Sequence, residues 1–270
     1  MKKNDLIKLF SLLALTVIAY IPTFQWMYDR WSAKDTYYSH GFLVPFISAF
    51  IIWQKREELA KLLVKPLISG WLLFGSGLLI HALSTFFRVS FASGFSLIVT
   101  LAGLIMITLG KEFFKKLAFP LFFLISMIPL PLALIASMSF RLKIFAAQVS
   151  KVLMNNIGIP TIREGSILRT AHAMLMVEDP CSGIRSLVAL ISLGALAAYF
   201  SSLSRPRKII LFLSSIPIAV GTNIIRITSL GLVSEIYGEK YAMGIFHDTM
   251  GILVFVFAFL GLMFVQKLLE

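Results

Sequence analysis

Long apolar runs separated by short polar ones dominate the chain. A hydrocarbon core of ~30 Å needs about 20 apolar residues in a helix. That template finds eight spans, at 6–24, 38–53, 67–87, 89–109, 117–136, 184–203, 209–236 and 245–265. The pattern predicts an all-α integral membrane protein, a single polytopic domain over residues 1–270. The first run lacks a small-residue cleavage site before its polar flank, so it reads as an uncleaved span. A polar, aromatic-rich stretch, 25–40, follows it. The second span carries Pro45, and the fifth is broken by Pro129 and Pro131, which kink or end it.

Between Met138 and Pro180 the pattern changes, and no stretch reads as apolar enough to cross. Arg141, Lys143, Gln148 and Lys151 alternate with Phe140, Ile144, Phe145, Val149, Val152 and Leu153 at helical spacing. That spacing predicts a helix lying at the membrane surface. After it, 159–177 holds Gly165, two short β-favouring runs (166–168 and 174–177) and a polar break at Arg169-Thr170-Ala171-His172. These predict a small β-hairpin. The 138–180 segment is thus expected to be an extracytoplasmic, interfacial insertion within the membrane domain.

Composition agrees with the pattern. With 58% hydrophobic and 14% charged residues and a mean hydropathy of +0.88, a water-facing surface of this length is excluded. The net charge of +12 would suggest nucleic acid in a soluble chain, but membrane proteins collect Lys and Arg in cytoplasmic loops. No nucleic-acid partner is therefore expected. With the N-terminus inside, the tails and inner loops hold fourteen Lys and Arg against four (Arg30, Lys34, Arg88, Lys240) in the three short outer loops. Both termini are predicted to be cytoplasmic, and the long segment between spans five and six to lie outside.

Candidate chemistry centres on Asp179-Pro-Cys-Ser-Gly-Ile-Arg-Ser-Leu187, which holds Cys181, the only cysteine. It stands where a polar segment turns into a long apolar helix. The first N–H groups of a helix lack partners within it and carry partial positive charge. A thiol there is easier to ionise, and the thiolate is the reactive form. The alternative is that Cys181 is a small apolar filler.

Topology brings two more groups to the same depth. Span seven climbs from Lys208, and Arg226 lies eighteen residues on, roughly 27 Å at about 1.5 Å per residue. That is near the outer edge of the hydrocarbon. Span eight starts outside, with His247 in its first turn. Asn223 shares a helical face with Arg226, and such a pair in an apolar span usually marks a polar cavity. Gly251, one turn below His247, leaves room for a close neighbour, while Asp248 points about 100° away. Each residue also has a plainer reading. Arg226 reaches the headgroups or pairs with Asp248 or Glu235, and His247 is an ordinary interfacial histidine. His40, His81 and His172 have no chemical partner identifiable from sequence. No Ser-His-Asp order, metal-ligand spacing or phosphate-binding glycine loop is visible, so neither metal nor cofactor is expected. Cysteine, histidine and arginine together suit acyl transfer: a nucleophile, a proton carrier and a fixed cation for the oxyanion.

The motifs resemble those of the exosortase/archaeosortase membrane transpeptidases. The matching segments are Tyr38-Ser-His-Gly-Phe-Leu-Val-Pro45, Asn156-Ile-Gly-Ile-Pro160, Arg163-Glu-Gly165, Pro180-Cys-Ser-Gly-Ile-Arg-Ser-Leu187, Asn223-Ile-Ile-Arg-Ile227, and His247-Asp248 with Gly251. The resemblance implies that Cys181 is the nucleophile and that Arg226 and His247 complete the site. Ser182, Gly183, Arg185 and Asn223 are implied to shape it or bind substrate. It further implies a multi-pass protein of the plasma (inner) membrane with its site on the extracytoplasmic side. Its partners would be membrane lipid, exported proteins bearing a C-terminal sorting tag (a short motif, a transmembrane helix, a basic cluster) and an envelope acceptor. Two other classes stay open on residues alone: an anion or solute transporter using Asn223 and Arg226, and a non-catalytic component of envelope-polysaccharide export.

Overall fold

The computed structural model describes residues 3–34, 36–177 and 183–270. It is mostly helical, and its chain divides into two compact units, Met1–Leu130 and Pro131–Glu270. Among the described residues, four helical stretches are long and apolar enough to cross a membrane: Ser90–Thr108, Leu132–Asn156, Arg205–Tyr237 and Thr249–Leu269. A bent pair, Ile7–Ala19 with Ile21–Ser32, makes a fifth if counted as one span. Shorter apolar helices occupy Ser39–Gln54, Gly70–Phe86 and Ile184–Phe200. The last two have 17 residues each, or roughly 25 Å of helix against the ~30 Å of hydrocarbon.

The first unit comprises α1 (Lys3–Ala19), α2 (Ile21–Ser32), a 3₁₀ turn (Ser39–Phe42), α3 (Leu43–Gln54), α4 (Arg56–Ala60), α5 (Gly70–Phe86), α6 (Ser90–Thr108) and α7 (Lys111–Phe123), which runs into a second 3₁₀ turn (Leu124–Met127). The first apolar run is bent by 59° because Pro22, in the first turn of α2, has no N–H to continue the α1 ladder. Side chains seal the bend. Tyr20, fully buried, sets its hydroxyl 2.9 Å from Ser96 Oγ and 2.8 Å from Thr100 Oγ1. His81 stacks on the Tyr20 ring at 4.0 Å. Its Nε2 lies 2.9 Å from the Ala19 carbonyl and its Nδ1 2.7 Å from Ser93 Oγ, which in turn is 2.6 Å from Thr23 Oγ1. A carbonyl only accepts, so the His81 proton sits on Nε2 and Ser93 donates to Nδ1. Glycine lets α5 and α6 approach closely: a Cβ on Gly103 would lie 2.3 Å from the Phe74 nitrogen, the small-residue contact of membrane helices.

The Tyr38–Pro45 motif is structural in this unit. A Cβ on Gly41 would lie 2.4 Å from Trp31 Nε1, and that indole donates to the Met127 carbonyl at 2.9 Å. His40 Nε2 is 3.1 Å from the Ser126 carbonyl, and the Tyr38 hydroxyl accepts from Leu130 N at 3.2 Å.

The second unit comprises α8 (Leu132–Asn156), β1 (Ile162–Glu164), β2 (Ile167–Arg169), β3 (Met174–Met176), α9 (Ile184–Phe200), α10 (Arg205–Tyr237), α11 (Glu239–Ala242) and α12 (Ile245–Leu269). Its first helix corrects the sequence reading of the region after Met138. Pro131 caps α8 in an extended conformation, so 132–136 do not end the fifth run. They open a new 25-residue helix, and their added apolar side chains make it hydrophobic enough to cross. The 159–177 region forms a three-stranded antiparallel sheet in the order β1-β2-β3. Gly165, at φ 62°, turns the chain between β1 and β2 in a two-residue loop. Arg163 clamps that turn, donating from Nε to Gln148 Oε1 at 2.8 Å and from Nη1 to the Gly165 carbonyl at 2.7 Å. The sheet buries Leu168 and Leu175 against Ala147, Met154, Ile227 and Leu230 of α8 and α10. Glu235 of α10 fastens the other end, accepting from Thr170 Oγ1 at 2.5 Å and His172 N at 3.1 Å. α10 packs on α8, α9 and α12 and carries Asn223 and Arg226 in its C-terminal half.

Candidate active site

The site is built on the start of α9, the middle of α10 and the start of α12. Gly183 precedes α9 in the left-handed conformation, φ 83°, which L residues rarely adopt. A Cβ there would also lie 2.7 Å from Asn223 Nδ2. Gly183 is therefore fixed twice, by its backbone and by the buried Asn223, which is 3% exposed. Ser186 Oγ donates to the Gly183 carbonyl at 2.9 Å and closes the first turn.

Arg226 lies three residues beyond Asn223, on the same side of α10. Its Nη2 is 3.0 Å from His247 Nε2. A guanidinium has only N–H donors, so the imidazole accepts at Nε2 and carries its proton on Nδ1. Gly251 faces the same arginine: a Cβ at that position would stand 3.8 Å from Arg226 Nη2. These groups open on a cavity of about 320 Å³ bordered by Arg185, Ser186, Arg226, His247, Gly251 and, on its apolar wall, Phe255. The Nε atoms of both Arg185 and Arg226 are buried without a hydrogen-bond partner among the described residues.

A cavity with a neutral imidazole, a guanidinium bonded to it and a second guanidinium beside them holds the components for moving a proton and stabilising an anion. The model of the transmembrane exosortase family (Exosortase_EpsH) matches residues 31–264. The chain belongs to the exosortase family. That match takes in every residue of the cavity. No curated protein and no solved structure matches this exosortase chain.

Of the residues singled out from sequence, the exosortase fold brings Arg185, Arg226 and His247 to one cavity and sets Gly183 against Asn223. Cys181 and Ser182 lie outside the described residues. His40, His81 and His172 are elsewhere, the first two bonded to backbone carbonyls and the third donating its backbone N–H to Glu235. Sequence reasoning missed Ser186 and the apolar wall of α12. The wall had a signal: His247, Gly251 and Phe255 recur every fourth residue and so share one helical face.

Proposed function

We propose that this exosortase-family protein is a membrane-embedded cysteine endopeptidase and transpeptidase. It cleaves a C-terminal sorting tag from exported proteins and transfers them to an envelope acceptor. The observation that carries the reading is the Arg226–His247 hydrogen bond at 3.0 Å, in a cavity lined also by Arg185 and Ser186, which follow the Cys181-Ser182-Gly183 motif in the sequence. Cys181 precedes Gly183 by two residues, and two residues of chain span at most about 7 Å. Gly183 itself lies against Asn223, one helical turn from Arg226.

In this mechanism His247 takes the thiol proton and the Cys181 sulfur attacks the scissile carbonyl. Arg226 holds the oxyanion that forms. The C–N bond then breaks, the leaving amine takes the proton from His247, and the upstream protein stays on Cys181 as a thioester. An acceptor amine or hydroxyl gives its proton to His247, attacks the thioester and releases the sulfur, which regains the proton. Gly183 and Asn223 set the approach of the motif to α10, and Ser182 and Arg185 contact the tag.

The proposed setting is the plasma (inner) membrane, with eight spans, both termini cytoplasmic and the cavity at the extracytoplasmic level. A tag helix then lies in the bilayer with its cleavage motif at that level. Neither nucleic acid, metal nor cofactor takes part.

The test is capture of the processed protein on Cys181. A hydroxylamine-sensitive adduct of wild-type protein with a tagged substrate, absent in Cys181→Ala together with all processing, is the expected result. Normal processing by Cys181→Ala would overturn the proposal.

A further inference from the structure

The first unit has a cavity of its own, of about 590 Å³, where the start of α1 meets the end of α6. Lys8, Ser11 and Leu12 border it from α1, their spacings of three and four residues putting them on one helical face. Ile107 of α6, Pro66 and Trp71 of α5 make the other walls. The segment between α4 and α5 that carries Pro66 is fastened in place. Lys65 donates its backbone N–H to the Leu109 carbonyl at 3.2 Å, and Leu67 donates to the Met106 carbonyl at 2.9 Å. Gly110, at φ 96°, permits this close approach, because a Cβ there would collide with the Lys65 carbonyl. The walls are therefore preformed, and a ligand need not order them. The same backbone contact brings Lys65 to Gly110, the residue before Lys111.

Charge around this cavity is unbalanced. Lys115 pairs with Glu112 at 2.8 Å and Lys116 with Glu58 at 2.7 Å, whereas Lys8, Lys65 and Lys111 have no acidic partner among the described residues. Beside these cations the surface is apolar, and Ile68, Trp71 and Leu72 are all exposed. Tryptophan at the end of an apolar helix is the usual anchor at a membrane interface. Positive charge over an apolar wall matches the two halves of an anionic phospholipid, its phosphate and its acyl chains. A free phosphate ion would leave the apolar wall unused. We propose that this cavity binds the headgroup of an anionic phospholipid, with Lys8, Lys65 and Lys111 holding its phosphate oxygens. Three cations exceed the charge of one phosphate, so the two-phosphate head of cardiolipin is preferred to phosphatidylglycerol. The proposed topology places this lipid in the cytoplasmic leaflet, and the peptide chemistry of the second unit plays no part in its binding.

The experiment follows the unfolding temperature of the full chain in a neutral maltoside detergent, which rises when a ligand binds the folded state. Cardiolipin, phosphatidylglycerol, phosphatidylcholine, inorganic phosphate and polyglutamate are titrated in turn. Cardiolipin is expected to act at about tenfold lower concentration than phosphatidylglycerol, and the other three not at all. Each of Lys8→Gln, Lys65→Gln and Lys111→Gln should weaken the cardiolipin response about fivefold, and the triple variant should abolish it. Arg205→Gln/Arg207→Gln/Lys267→Gln, which removes as much charge from the second unit, should respond like the wild type. A second arm needs no variant: cardiolipin with a diazirine near its glycerol is photolysed with the wild type. Its adducts are expected at 7–12, 66–72 or 107–108, the segments that form the cavity. No response to cardiolipin, an equal response to phosphatidylcholine, an equal loss in the control triple variant, or adducts confined to other segments overturns the site. A response to phosphate equal to that of cardiolipin assigns the cavity to a free ion, and one to polyglutamate alone assigns it to an acidic protein segment; either overturns the lipid.

Discussion

Arg226 Nη2 and His247 Nε2 stand 3.0 Å apart, and this bond can exist only while the imidazole nitrogen is unprotonated. Once His247 takes a proton at Nε2, two N–H groups face each other and Arg226 must turn away. In the proposed mechanism that is the moment when negative charge forms on the scissile carbonyl. Proton uptake by one residue thereby releases the donor that the other stage requires. Removing a donor to an oxyanion costs about 10²–10³ in kcat, and Arg226→Gln is expected to fall in that range with KM little changed. His247→Ala should lose a comparable factor, and the double variant little more than either single one, because residues acting as a unit are non-additive. Rates from single-turnover processing of a tagged peptide decide the matter; independent, multiplying losses would refute the coupling.

A second expectation concerns Gly183. Any side chain here meets two penalties, a left-handed backbone and a contact of 2.7 Å with Asn223 Nδ2. Gly183→Ala should lower stability by about 1–3 kcal/mol and cut processing severely. Asn223→Ala removes the contact but not the backbone strain, so adding it should restore part of the stability of Gly183→Ala. Thermal unfolding in detergent measures this, and a Gly183→Ala variant as stable as the wild type contradicts the account.

Much of the second unit was legible in sequence, for reasons that differ residue by residue. The level shared by Arg226 and His247 follows from the rise per residue along two helices. The pairing of Gly183 with Asn223 does not, since their separation across α9 and α10 carries no periodic signal. Nor did the sequence show that His40 and His81 serve the fold: each bonds a carbonyl tens of residues away. The prolines at 129 and 131 were legible as a break, but the apolar residues 132–136 beyond them were kept with the fifth run on hydropathy, whereas Pro131 caps a new helix that they open.

His81 provides a stability prediction away from the cavity. Its ring joins Ser93 to the Ala19 carbonyl at the bend between α1 and α2. His81→Phe keeps the stacking on Tyr20 but takes the imidazole donor from the Ala19 carbonyl and leaves Ser93 with Thr23 as its hydroxyl partner, at a cost of about 1–3 kcal/mol. A fall in unfolding temperature is expected, with the folded fraction processing substrate at the wild-type rate. An unchanged unfolding temperature would mean that the network contributes nothing net.

The last prediction fixes the topology. Although α8 is apolar enough to cross, charge argues that it lies at the outer surface. If α8 crossed, the inner-loop cations before it (Lys2, Lys3, Lys8, Lys55, Arg56, Lys61, Lys65, Lys111, Lys115 and Lys116) would face the opposite side from Arg205, Arg207, Lys208 and Lys267. One of the two groups would then lie outside, against the usual inward bias of Lys and Arg. With α8 on the surface, all of them lie inside, and its own Arg141, Lys143 and Lys151 reach the headgroups. Reporter fusions after residues 62 and 206 should therefore both read cytoplasmic, and one after residue 170 extracytoplasmic. Opposite readings at 62 and 206 would establish α8 as a span. They would put the loops of the two units on different sides and leave the charge distribution to be explained by something other than insertion.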